Sequence, residues 1–204
     1  MIKALLFDLD GVLIEAVVLH YAAFTKALRG VAGVHIGEFE HTALLDGLST
    51  RQKLAALVER GTLQANLVDK VYEVKQGLTV KYAHALIKPD PVKIDMVNYY
   101  AERYSLVCVS NCIRDSVNLL LSLAGLYEQF PISVSNEDVA HPKPAPDPYW
   151  RACSLLGLSA EECVAIEDNA NGIASARAAG VPVIATQYDE LNLQFMKEKI
   201  NELL

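Results

Sequence analysis

A chain of 204 residues is long enough for one domain, or for one domain carrying a modest insertion. Hydrophobic residues at 52% against charged residues at 21% supply a packed core and exclude intrinsic disorder. The balance of 18 Lys and Arg against 25 Asp and Glu, a formal charge of −7, argues against nucleic-acid binding, whose affinity rests on many cations neutralising phosphates. It leaves room for a local cationic pocket that takes one small anion. No apolar run approaches the ~20 residues of a membrane helix. The apolar start is interrupted at once by Asp8 and Asp10, so it does not read as a secretory signal. A soluble cytoplasmic protein is expected, a monomer or weak homodimer with neither a nucleic-acid nor a membrane partner.

The first predicted strand is Lys3–Phe7. After it, residues 15–87 hold four helical patterns and no convincing strand: Val18–Leu28, Glu38–Leu45, Thr50–Glu59 and Gln64–Leu86. Such a run predicts an inserted helical cap subdomain. Lys88, Pro89, Asp90 and Pro91 make a hinge back to the core, because proline stiffens the chain and disfavours helix before it. From there strands and helices alternate: helix Pro91–Tyr104, strand Leu106–Ser110, helix Arg114–Ala124, strand Ile132–Val134, helix Pro148–Leu156, strand Cys163–Ile166, helix Ala170–Ala179, strand Val183–Thr186 and helix Leu191–Leu203. Alternation of this kind predicts an α/β fold with a parallel sheet and crossover helices. Its ligand site belongs at the carboxyl ends of the strands. The core is expected over residues 1–14 and 88–204, and the cap over 15–87.

Four cysteines, Cys108, Cys112, Cys153 and Cys163, form no CxxC pair, and no His pair stands nearby at zinc-ligand spacing. Neither a disulfide nor a zinc site is expected. Cys108 and Cys163 lie in apolar runs and read as small buried hydrophobes.

The chemistry concentrates in four strings. In FDLDGVL, Phe7–Leu13, a strand ends in Asp8 and Asp10. Residues i and i+2 of an extended segment point the same way, so both carboxylates would face one site. Their repulsion is costly unless a cation or a shared proton relieves it; an acidic turn after a strand is the plainer alternative. A second strand ends in Ser110 and Asn111, Lys143 sits between prolines ahead of a helix, and a third strand ends in Glu167 and Asp168 before a helix of small residues. Each string alone fits a cap or a solvated loop, but all four in this order, each beyond a strand, point to one site.

Together these strings resemble the four signature motifs of the haloacid dehalogenase-like hydrolase superfamily, near its β-phosphoglucomutase-like branch with a helical cap. The resemblance implies a Rossmann-like, three-layer core with the cap seated over the active site, and a Mg²⁺ cofactor. It makes Asp8 the nucleophile that forms an aspartyl-phosphate, since a carboxylate is already ionised at neutral pH. Asp10 becomes the acid that protonates the leaving oxygen and later activates water, a role that calls for a raised pKa. Lys143 would neutralise Asp8 and the phosphoryl oxygens, with hydrogen bonds from Ser110 and the Asn111 backbone. The metal would be held by Asp8, the Asp10 carbonyl and Asp168, with Glu167 bound through water or behind the ligands. An acid at Asp10 favours phosphoryl transfer over dehalogenation, because a departing halide needs no proton.

In the cap, His20 matches a position that some phosphomutase-like members use near the substrate; packing is the alternative. The string LLDGLSTRQKL, with the Gly47 turn, resembles the substrate-specificity loop. There Arg51 or Lys53 could meet a second anionic group, with Lys75 in the next helix a further candidate. Glu15, Asn169 and the register of Arg51 depart from the mutase pattern. The expected activity is a Mg²⁺-dependent phosphatase of a small phosphorylated metabolite. The rivals are a β-phosphoglucomutase-type mutase and a non-catalytic binder of a phosphorylated ligand.

Overall fold

A computed structural model describes residues 1–203. Among these residues, strands β1 (Ala4–Phe7), β2 (Ser105–Val109), β3 (Ile132–Val134), β4 (Cys163–Glu167) and β5 (Val183–Ala185) form one sheet. The order is β3-β2-β1-β4-β5 and every pairing is parallel. All five strands fall within one residue of their expected ends. The chain moves outward from β1 to β2 and β3, then returns to β4 on the other side of β1. The point where the order reverses therefore lies at the end of β1, where ligands bind in open parallel sheets.

Helices α1 (Val17–Ala32), α2 (Glu38–Leu45), α3 (Thr50–Glu59) and α4 (Val68–Leu86) follow β1; α5 (Pro91–Ala101), α6 (Arg114–Leu123), α7 (Asp147–Leu156), α8 (Ala170–Ala178) and α9 (Leu193–Leu203) are interleaved with the later strands. Side chains alternate across each strand. Leu5 and Phe7 pack with Met96 and Val97 of α5, Leu120 of α6 and Met196 of α9. Ala4 and Leu6 face the other way, against Tyr149 and Ala152 of α7 and Ala176 of α8. The result is a three-layer α/β core. Burial of each large apolar side chain is worth ~1.5–3 kcal/mol, and Leu5, Leu6, Phe7 and Leu9 are all fully buried, which fixes the backbone that carries Asp8.

The inserted helices have a hydrophobic core of their own, built around Phe24, Leu28, Leu45, Leu54, Leu57 and Val71. Three expected helices differ by three or more residues at one end. Helix α1 continues past Leu28 to Ala32, because Val31 and Ala32 pack against this second core. The expected Gln64–Leu86 helix opens with a separate 3₁₀ turn, Ala65–Leu67. Helix α5 stops at Ala101 rather than Tyr104, since the chain must turn to pair Ser105 with Ala4 in the sheet. No helix among the described residues is long and apolar enough to cross a membrane.

Candidate active site

Asp8 sits one residue past β1, its backbone N–H donating to the Ile166 carbonyl of β4 at 2.9 Å. Lys143 donates to Asp8 Oδ1 at 2.7 Å, to the Val109 carbonyl at 2.7 Å and to Glu167 Oε1 at 2.5 Å. Tyr149 donates its hydroxyl to the same Glu167 oxygen at 2.5 Å. Lys143 is only 2% exposed and Glu167 not at all. An ammonium has three N–H donors, and all three are engaged. Lys143 thus orients Asp8 and counters its charge, but it has no donor left for the phosphoryl oxygens that the motif resemblance assigns to it. Burial lowers the Lys143 pKa, yet Asp8 and Glu167 outweigh burial and raise it, so the ammonium stays charged.

Asp8, Glu167 and Asp168 each bring a carboxylate oxygen within 4.8 Å of the others. Burial, then Glu167, Asp168 and Asp10, outweigh Lys143 and raise the Asp8 carboxyl well above its ordinary range. Asp168 is pushed up to about 6 by burial, with Glu167 and Asp10 adding to it. Glu167 Oε2 is buried without a partner. Three neighbouring carboxylates, of which the one ammonium pairs with only Asp8 and Glu167, offer hard oxygen donors that suit Mg²⁺. Asp8 and Asp168 are free to bind it. Glu167 has one oxygen tied to Lys143 and Tyr149, which fits a place behind the direct ligands. Gly11 makes room for this arrangement: its φ is +87°, and a Cβ there would lie 2.1 Å from Asp168 Oδ2.

The Asp10 carboxylate lies outside this cluster, grouped instead with His20 and Cys112. Its Oδ2 accepts from Cys112 Sγ at 3.1 Å and its Oδ1 lies 3.3 Å from His20 Nε2. Burial raises the Asp10 carboxyl, but His20 and Cys112 outweigh burial and hold it below its ordinary value. This departs from the raised pKa that an acid at this position calls for: without substrate, Asp10 is ionised and ready to act as a base. His20 is lowered by burial and by Lys75 despite Asp10, so its imidazole is neutral at pH 7.

Ser110 is buried at the end of β2 and accepts the Cys112 N–H at 3.0 Å, which leaves its hydroxyl proton free to donate. The Asn111 side chain brackets three segments: it donates to the Gly47 carbonyl at 2.7 Å and the Lys143 carbonyl at 3.0 Å, and accepts the Lys143 N–H at 2.9 Å. Gly47 has a φ of +69°, and a Cβ there would meet Asn169 Oδ1 at 2.6 Å. Only glycine lets the cap loop press so closely on the core. Asn171 adds a bond to the Asp46 carbonyl at 2.7 Å. The cap is thereby seated on the core, and it encloses a cavity of about 90 Å³. Asp8, Ser110 and Asp168 form its floor, while His20, Lys53 and Lys75 reach it from the cap.

Lys53 and Lys75 are both buried. Lys53 Nζ lies 3.2 Å from His41 Nε2, and Lys75 Nζ lies 3.4 Å from His20 Nδ1. Burial lowers Lys53 to about 8, with Lys75 adding to the shift, and burial followed by Lys53 lowers His41 to about 4. Arg51 departs from the expectation. It turns outward, pairs with Asp69 at 2.6 Å and stacks 4.1 Å from the Tyr72 ring centre, outside the cavity. In the first turn of α3, a step of two positions carries the chain from the outward face with Arg51 to the inward face with Lys53. An exposed pair of this kind is worth at most ~1 kcal/mol. Arg51→Ala should therefore leave kcat/KM within about twofold of wild type in a steady-state assay.

Cys112, His41 and Tyr149 are site residues that sequence reasoning missed. Cys112 stands two places beyond Ser110, so the spacing that pairs Asp8 with Asp10 could have flagged it. Nothing local marks His41 or Tyr149.

Residues 5–186 match the haloacid dehalogenase-like hydrolase family. The chain belongs to that family. It is 31% identical over 198 residues to protein CbbY of Rhodobacter capsulatus, covering 91% of this chain and 85% of that protein. It is 28% identical over 214 residues to the pyrophosphatase PpaX of Bacillus pumilus, covering 100% of this chain and 95% of that protein. A variant of CbbY from Rhodobacter sphaeroides, solved with xylulose-(1,5)bisphosphate, superposes with a TM-score of 0.80 at 25% identity, covering 95% of this chain and 91% of that one. A β-phosphoglucomutase from Clostridium difficile shares the fold with a TM-score of 0.81 at 22% identity, covering 99% and 98%. This member of the family is thus a hydrolase with phosphatases among its relatives.

Proposed function

We propose that this hydrolase is a Mg²⁺-dependent cytoplasmic phosphatase of a small phosphorylated metabolite, such as a sugar phosphate. The observation that carries the reading is the buried Asp8–Lys143–Glu167 chain beside Asp168, under a cavity whose cap end is lined by Lys53 and Lys75. Mg²⁺ bound by Asp8, Asp168 and the Asp10 carbonyl would supply the positive charge that lets two anions meet. Lys143 holds Asp8 Oδ1, so Oδ2 is the attacking atom. A bond forms from Oδ2 to phosphorus, and the bond from phosphorus to the leaving oxygen breaks. Asp10 passes a proton to that oxygen; the entering phosphoryl dianion raises its carboxyl by like-charge repulsion, which lets it carry the proton. Ser110 donates to a phosphoryl oxygen. Ionised again, Asp10 then takes a proton from the water that attacks phosphorus, and Asp8 is restored as phosphate leaves.

Position of Arg51 outside the cavity favours net hydrolysis over return of the phosphoryl group to a sugar held by that residue. A panel of phosphorylated metabolites, assayed for phosphate release with and without Mg²⁺, tests the reading. Release that depends on Mg²⁺ supports it. No release from any member, or isomerisation of β-glucose 1-phosphate with little free phosphate, contradicts it.

At the cap end, Lys53 is placed to meet a second anionic group on the substrate. Its pKa of about 8 keeps it charged at pH 7 and discharges it as pH rises through 8. KM should therefore rise above pH 8 for a substrate with a second anion, with little change in kcat. A charge-assisted contact is worth roughly 1.5–3 kcal/mol, or about 10- to 150-fold by the tenfold-per-1.4 kcal/mol rule. Lys53→Met should raise KM by that factor and remove the upturn. The groups facing Lys53 are His41, Lys75, Asp46, Cys112 and Asp10. A KM that stays flat from pH 7 to 10 in the wild type would count against this role.

A further inference from the structure

A second set of metal-binding side chains meets where the cap touches the core. Asp10 comes from the loop after β1, Cys112 from the loop after β2, and His20 from cap helix α1. Their spacing in sequence matches no metal motif; the fold alone brings them together. Cys112 Sγ lies 3.1 Å from Asp10 Oδ2 and 3.5 Å from His20 Nε2, and His20 Nε2 lies 3.3 Å from Asp10 Oδ1. Zn²⁺ takes nitrogen and oxygen ligands at ~2.0–2.1 Å and sulfur at ~2.3 Å in tetrahedral geometry, which separates N from O by about 3.3 Å and S from either by about 3.5 Å. Two edges of such a face, Nε2 to Oδ1 and Nε2 to Sγ, already have these lengths; the sulfur now sits against the other carboxylate oxygen, Oδ2, and the ligand atoms of the three side chains lie within 4.8 Å of one another. Asp10 Oδ1 is buried and accepts no hydrogen bond, so a lone pair is available where the metal would need it.

We propose that Asp10, His20 and Cys112 form a second metal site, selective for Zn²⁺ and inhibitory. A thiolate and an imidazole favour Zn²⁺, whereas the all-oxygen group of Asp8, Glu167 and Asp168 favours Mg²⁺. The two sites therefore take different ions within one cavity. On binding, the Cys112 thiol gives its proton to solvent, as zinc ligation by cysteine requires. The imidazole proton moves to Nδ1, and Lys75 turns its ammonium to Gln76 Oε1, which it already approaches at 3.4 Å. A water completes the four ligands. The bound carboxylate of Asp10 can no longer pass a proton to the leaving oxygen. His20 is tied to the core at the same time, so the cap stays closed over the product. The inhibitory consequence rests on the phosphatase reading; the metal site does not.

Cobalt serves as the spectroscopic stand-in for zinc. The full chain, stripped of divalent metal, is titrated with Co²⁺ and followed in the near ultraviolet. One equivalent should produce a thiolate-to-cobalt charge-transfer band, and Zn²⁺ should abolish it by displacement. Cys112→Ser, checked for folding by circular dichroism, should show no band; Cys112→Ala replaces it if serine disturbs the fold. His20→Gln should weaken Co²⁺ binding at least about tenfold, since even residues behind a metal ligand contribute 10- to 100-fold. In assays saturated with Mg²⁺, Zn²⁺ should inhibit each cysteine variant at least about tenfold less potently than wild type, each measured against its own uninhibited rate. Absence of a band at full equivalence overturns the site. So does a band that persists in the Cys112 variants, which would come from Cys153 and Cys163, whose sulfurs are 3.7 Å apart. A Cys112-dependent band in a protein that hydrolyses no phosphate ester upholds the site and removes the phosphatase reading.

Discussion

Asp8→Asn should lower turnover by roughly 10³-fold or more, the scale on which losing a nucleophile is felt, while leaving the protein as stable as wild type or more so at neutral pH. The two halves have one cause. Asp8 ionises in a buried site beside Glu167, Asp168 and Asp10, and its folded pKa is raised despite Lys143. A carboxyl with a raised folded pKa opposes folding once pH exceeds its unfolded value of about 3.9. Asparagine keeps the shape and removes that charge. The stability difference should shrink as pH falls and wild-type Asp8 takes up its proton. Mg²⁺ should stabilise the wild type by mass action and the variant less. Thermal melts from pH 4 to 8, beside phosphate-release assays, check both halves. A variant that loses stability at neutral pH would make Asp8 a structural partner of Lys143 rather than a nucleophile held at a cost.

Lys143→Ala has the largest expected effect on folding. Removing one partner of a buried ion pair typically costs about 3–5 kcal/mol, because the other charge is left uncompensated. Here the loss strands both Asp8 and Glu167, and it also frees the Val109 carbonyl. The sign with pH follows from Lys143, whose folded pKa is raised. Its stabilisation is fully present below the unfolded lysine value of about 10.4, so the deficit is full at pH 7. Acid should narrow the deficit as Asp8, whose carboxyl is raised by burial, takes up a proton, and Mg²⁺ should narrow it by neutralising the stranded charge. Urea unfolding at pH 5 and pH 7, with and without Mg²⁺, measures this. A deficit below about 1 kcal/mol at pH 7 would mean that the carboxylates find other partners.

The strands and core motifs were legible because a buried parallel strand leaves a plain trace: a short apolar run, then the polar residue that the strand delivers to the site. Asp8, Ser110 and Asp168 all follow that rule. The cap was legible as helices but not as a surface. Arg51 and Lys53 look alike in sequence, yet helical geometry turns one outward to Asp69 and Tyr72 and the other inward to His41. The pKa of Asp10 was illegible for a similar reason. Its direction is set by His20, on cap helix α1, and by Cys112, 102 residues away along the chain. The limited role of Lys143 also needed coordinates, since only they show that all three of its N–H groups are already taken.

Trapping the phosphorylated enzyme tests the nucleophile most directly. In Asp10→Asn the base that activates water is missing, so a phosphoryl group transferred to Asp8 should persist. The variant is mixed with a substrate found in the metabolite panel, or with acetyl phosphate, whose leaving group needs no proton from Asp10; it is then quenched in acid, digested and read by mass spectrometry. The expected result is one phosphoryl group on the peptide carrying Asp8, dependent on Mg²⁺ and absent when Asp8 is also replaced by Asn. A wild-type enzyme that turns over while no adduct forms on Asp8 in either protein, or an adduct that survives Asp8→Asn, would contradict the mechanism.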